Sequence, residues 1–168
     1  MAVSRVVFPL SFIITFILLG CSEWGTVADA KSIYHQHKEE YEELYRTLVA
    51  HPEINHVTPQ FTPERGNMKF HDGHTNLSPM SQVVYKNLVD QMARLKILRI
   101  KHEKFDYWKT GQPVERTTFW MFVRGVGGDT EGISIVRLGG DVPIERAVDK
   151  FGVCESLDDQ GWYVCHLR

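Results

Sequence analysis

No block of like charge runs through this sequence. Lysine and arginine number 19 against 21 aspartates and glutamates, a formal net charge of −2, and the basic residues form no stripe. Nucleic-acid binding draws much of its affinity from such a stripe, so that class is set aside. Long apolar runs are lacking too. The longest, Val6 to Leu19, has 14 residues, against about 20 for a helix that crosses a bilayer. Catalytic signatures are equally scarce: there is no H-E-x-x-H, no G-x-S-x-G and no convincing cysteine–histidine pair. Gly125-Val126-Gly127-Gly128-Asp129 lacks the lysine and Ser/Thr of a phosphate-binding loop, and no helix follows it. It reads as a hairpin turn that needs positive φ, as does Gly139-Gly140-Asp141. Internal repeats and low-complexity segments are missing. Cysteines number only three, and no two of them stand as C-x-x-C.

What is present at the start is a short apolar segment preceded by one charged side chain, Arg5. A charged start, a short apolar region and a small-residue boundary are the marks of a secretory signal. Two boundaries compete. Ala28-Asp29-Ala30 has the small-x-small form, but lies about three helical turns beyond the apolar run. Leu18-Leu19-Gly20-Cys21 sits directly at its end and resembles the lipobox of bacterial lipoproteins, over about the first 22 residues of the chain. The resemblance implies that residues 1–20 are removed, that Cys21 is diacylated at sulfur, and that its freed amine is acylated as well. A single acyl chain binds membranes marginally, at about 0.8 kcal/mol per buried methylene, whereas two or three hold firmly. Ser22 stands where lipoproteins kept at the inner membrane carry aspartate, so the resemblance implies an outer-membrane anchor facing the periplasm. Residues 21–25 then form a lipid-anchored tether and 26–168 one globular domain. Losing Arg5 with the signal leaves 18 basic against 21 acidic residues, a charge of −3 on 148 residues, enough chain for a real core.

With Cys21 given to lipid, Cys154 and Cys165 remain, in a compartment where a bridge persists. If Asp158-Asp159-Gln160-Gly161 is a four-residue hairpin loop, then Leu157 faces Trp162, Ser156 faces Tyr163, Glu155 faces Val164 and Cys154 faces Cys165. Directly opposed residues stand close enough for a disulfide. The spacing predicts a structural bridge.

The rest of the chain predicts an α+β domain. A helix opens at Thr26-Val27-Ala28-Asp29, a threonine cap with an acidic residue three places on. It carries Val27, Ala30, Tyr34, His37, Tyr41, Leu44 and Leu48 on one stripe and ends at His51-Pro52. Residues 52–77 read as a long irregular stretch. A second helix starts at Ser78-Pro79, with Met80, Val83, Val84, Leu88, Met92 and Leu95 as its apolar face. Strands follow at Arg99 to Trp108, Thr117 to Val123 and Ile133 to Leu138. A short third helix runs from about Pro143, carrying Ile144, Ala147, Val148 and Phe151, and the disulfide hairpin closes the domain. Two N-terminal helices would pack on an antiparallel sheet.

Phe70-His71-Asp72-Gly73-His74 is the most suggestive chemistry. His71, Asp72 and His74 are candidate ligands for zinc or a similar metal, with His51 and His56 in or near the same loop. A loop presents such groups less predictably than a helix face. His37, on an apolar stripe, reads as a core or boundary histidine. Most of Trp108, Phe119, Trp120, Phe122, Trp162 and Tyr163 belong in the core, while any exposed on a sheet face would form a partner-binding patch. The expectation is a non-enzymatic lipoprotein without cofactor that binds a protein partner, immunity- or inhibitor-like or envelope-associated. A metal-binding envelope protein built on the His71–His74 loop is the alternative.

Overall fold

A computed structural model describes residues 25–59, 77–106, 111–124, 131–139, 152–158 and 160–167. Among these residues, three helices, α1 (Val27–Gln36), α2 (Lys38–Ala50) and α3 (Pro79–Arg94), accompany six strands. These are β1 (His56–Val57), β2 (Arg99–Asp106), β3 (Pro113–Arg124), β4 (Glu131–Gly139), β5 (Val153–Ser156) and β6 (Trp162–Leu167). Every neighbouring pair is antiparallel, in the order β1-β2-β3-β4-β6-β5. The α+β class is as the sequence predicts.

Local hydrogen bonding fixes the helix starts. The Thr26 hydroxyl accepts from the Asp29 amide while the Asp29 carboxylate takes the Thr26 N–H, a reciprocal capping box. Ser78 caps α3 through the Ser81 amide, with proline in the first turn. Two helical expectations are corrected. The first helix is two: His37, at φ −126° and ψ 26°, separates α1 from α2. No proline or glycine marks the break. His37 caps both helices: its N–H closes α1 on the Ile33 and Tyr34 carbonyls, and its own carbonyl accepts the Glu40 and Tyr41 amides of α2. The inner face of α3 is also rotated from the expected one. Ser81, Tyr85, Leu88 and Met92 are buried, while Met80 and Val83 are 74% and 61% exposed. Ser81 can be buried because its hydroxyl donates to Glu53, 2.7 Å away. Tyr85 goes in because its hydroxyl donates to the Thr58 carbonyl. Apolar counting does not register either bond.

The stretch read as irregular from Pro52 holds a strand after all, since His56 and Val57 pair with Lys101 and Ile100. Residues 60–76 lie outside the described residues, as do 107–110, the expected turn at 125–129 and the expected short helix around 143–151. In the C-terminal hairpin the predicted register holds: Cys154 opposes Cys165, Glu155 opposes Val164 and Ser156 opposes Tyr163. The Leu157 amide donates to the Trp162 carbonyl at 2.8 Å. Alternation from that bonded pair puts the cysteines at a non-hydrogen-bonded position, where backbones approach most closely. They form a disulfide with Cα atoms 4.1 Å apart.

Strand register sorts the core. Ile100, Phe119, Ile135 and Val164 stand in one row across β2, β3, β4 and β6, and share a buried cluster with Tyr41, Leu44 and Leu48 of α2 and Leu88 and Met92 of α3. Val114, Val136, Leu138 and Cys165 point the other way and form a second cluster. No helix among the described residues is long and apolar enough to cross a membrane.

Candidate binding groove

Between α3 and β2 the chain turns sharply. Lys96 takes φ 56°, the left-handed position that glycine or asparagine more often fills after a helix. The Ile97 amide reaches back to the Met92 carbonyl at 2.9 Å, which buries Ile97. Leu98 then donates to the Trp120 carbonyl at 2.7 Å, extending the β2–β3 ladder past the end of β2. Across the ladder, β3 bulges between Trp120 and Phe122, and a bulge re-aims the side chains beside it.

The result is an open groove of about 630 Å³ lined by Thr58, Pro59, Ile97, Leu98, Arg99, Trp120 and Val123. Its rim is apolar and wet, with Leu98 50% and Val123 43% exposed. Arg99 opposes Trp120 in the register and stacks on it, its guanidinium carbon 4.4 Å from the ring centroid. Such a contact is worth about 0.5–1 kcal/mol at an exposed site.

The neighbouring basic side chains of β2 and β3 are ion-paired. Arg116 also lies over an aromatic ring, that of Phe105, but is ion-paired to Glu103. Lys101 pairs with Glu103 at 2.6 Å and Lys104 with Glu115 at 3.0 Å. Arg99 has no carboxylate partner among the described residues, and desolvation pulls its pKa below the ordinary arginine value. Its field reaches His56, whose pKa is lowered first by burial and then by the charges of Arg99 and Lys101. The indole N–H of Trp120 is buried and meets no acceptor among the described residues. Among the described residues, a stacked cation without an anion, a buried donor without an acceptor and two exposed apolar side chains therefore share one groove. That combination suits a carboxylate carried beside an apolar group.

A second polar region, between the helices and the sheet, is closed on itself. Trp162 Nε1 donates to Glu42 at 2.6 Å and the Tyr45 hydroxyl to Glu115 at 2.9 Å. Burial, then the bond to Glu115 and its charge, push the Tyr45 phenol up to about 12. The Arg137 guanidinium lies 5.1 Å from the Tyr45 ring centroid. Asp158, expected only as a turn residue, is the hub. Its Oδ1 accepts from the Gln160 amide at 2.9 Å, and its Oδ2 takes the Tyr34 hydroxyl and the Lys38 ammonium, each at 2.8 Å. Burial raises its carboxyl, but the Lys38 and Tyr34 bonds and the Gln160 N–H outweigh it and hold the pKa below the ordinary aspartate value. A depressed carboxylate contributes stability above its unfolded pKa and loses it as pH falls through the folded one. Asp158→Asn should thus destabilise the protein by about 1–2 kcal/mol at neutral pH. The deficit should close as pH drops below about 4, as read from urea midpoints across pH.

The residues singled out in the sequence divide cleanly. Cys154 and Cys165 are brought together. His37 is half-buried, its Nδ1 2.7 Å from Glu40, the boundary role expected of it. His51 faces Glu53 at 3.2 Å. Cys21 and the candidate ligands His71, Asp72 and His74 lie outside the described residues, and among the described ones no three metal-binding side chains gather. Trp120 belonged to the aromatic set from which a patch was expected. Arg99 was missed, because only strand register sets it on Trp120. Set against protein-family models, curated proteins and solved structures, the chain matches none.

Proposed function

We propose that the protein is a non-enzymatic lipoprotein, held through Cys21 at the periplasmic face of the outer membrane, whose domain binds a protein partner in the Arg99–Trp120 groove. An immunity or inhibitor protein is its concrete form, since such a protein need only present a surface complementary to a toxin or hydrolase. The partner offers an acidic side chain, or a chain-terminal carboxylate, flanked by an apolar residue. The observation that carries this is the stacked Arg99 guanidinium, without an anion among the described residues, beside exposed Leu98 and Val123. Aromatic and arginine side chains are the usual anchors of protein interfaces, and a complementary charge on the partner would add selectivity and speed of association. The same reading takes the helices as one layer over the sheet, leaving the groove free at the end where α3 meets β2.

The test is capture from envelope extract with the wild-type domain and with Arg99→Gln. A partner held by the wild type should lose affinity by about tenfold or more in the variant, the loss of one charge-assisted bond or pair. Equal retention would remove the groove from the interface. Repeated failure of the wild-type domain to retain any specific protein would end the binding reading.

A further inference from the structure

The domain begins almost at the anchor. Gly25 is buried, and a Cβ added there would come within 2.1 Å of the Phe122 ring carbons, so a side chain at this position would force that ring to move. The capping box at Thr26 and Asp29 then fixes the start of α1. Cys21 and Gly25 are four residues apart, a reach of at most about 14 Å even when fully extended. If Cys21 carries lipid, the corner holding Gly25 has no room to drift from the bilayer.

That corner has a suitable surface. Gly25, Asp29, Ile33, Lys96 and Phe122 line an open recess of about 610 Å³. Directly beside it in the chain, Leu98 and Val123 are exposed apolar side chains, and Arg99 is a cation without an anionic partner among the described residues. Apolar side chains interleaved with lysine and arginine are what a headgroup region accommodates. The opposite end of the sheet, at Asp106 and its partner Pro113, lies seven residues along β2, about 23 Å away.

We infer that the end of the sheet bearing Gly25, Lys96, Leu98 and Val123 faces the phospholipid surface, with the strands rising away from it. This rests on the anchor reading and deepens it, for it sets the groove at headgroup level, where a partner must present its carboxylate. With Cys21 acylated and Cys154–Cys165 bridged, an added cysteine is the only free thiol, so one dye can be placed at Val123→Cys or at Asp106→Cys in the full acylated protein. In vesicles of phosphatidylethanolamine and phosphatidylglycerol containing a nitroxide-headgroup lipid, quenching should be several-fold stronger at position 123 than at 106. Equal or reversed quenching, in protein whose acylation is verified by mass, would overturn the orientation and leave the anchor standing. A chain with unmodified Cys21 would overturn the anchor and the orientation together.

Discussion

Trp162→Ala is expected to destabilise the protein by about 3–5 kcal/mol, the range for deleting a large buried aromatic side chain. Trp162 is fully buried, and its ring lies 5.3 Å from Tyr34, 6.0 Å from Tyr41, 6.3 Å from Tyr45 and 5.7 Å from Phe119. It is therefore the side chain on which α1, α2 and β3 meet. Two effects add. Truncation opens a cavity among four rings that cannot all collapse into it, and the Glu42 carboxylate loses the indole N–H that it accepts at 2.6 Å. Trp162→Phe separates the two, because it fills most of the space but leaves Glu42 without its donor. It should cost about 1–3 kcal/mol. Urea denaturation followed by far-ultraviolet circular dichroism reads both. A loss below about 1 kcal/mol for Trp162→Ala would mean that the helices do not depend on this ring.

Removing the bridge is the second large effect. Cys154→Ala with Cys165→Ala should lower stability by about 3 kcal/mol, from the entropy that the closed loop takes out of the unfolded chain. Cys165 is fully buried and belongs to the second cluster with Val136 and Leu138, so losing its sulfur adds a small packing deficit. Reduction of the wild-type protein should lower the denaturation midpoint in the same direction, and non-reducing peptide mapping should recover the two cysteine peptides joined. Two freely alkylated thiols in protein from its native host would contradict the bridge.

Features governed by neighbours in the chain were legible in the sequence. The Thr26–Asp29 box and the Ser78-Pro79 start each need only bonds spanning three residues. The disulfide register was legible because a loop length fixes which residues face each other. Features governed by distant partners were not. The break at His37 carries no proline or glycine to mark it, and the rotation of α3 follows from Ser81 reaching Glu53. The role of Asp158 depends on Tyr34, 124 residues earlier. The groove is the strongest case. Trp120 could be suspected as an aromatic on a strand, but Arg99 gains its meaning only when β2 and β3 pair with those two residues opposed. Leu98 and Val123 become a rim only once the bulge and the turn at Lys96 are in place.

The anchor is the claim on which location and orientation rest, and one measurement addresses it directly. Mass spectrometry of the N-terminal peptide, from protein isolated out of its native host, should find a chain beginning at Cys21 with two acyl chains on a glyceryl thioether and a third on the amine. A Cys21 thiol free of lipid, or a mature chain beginning after Ala30, would contradict it.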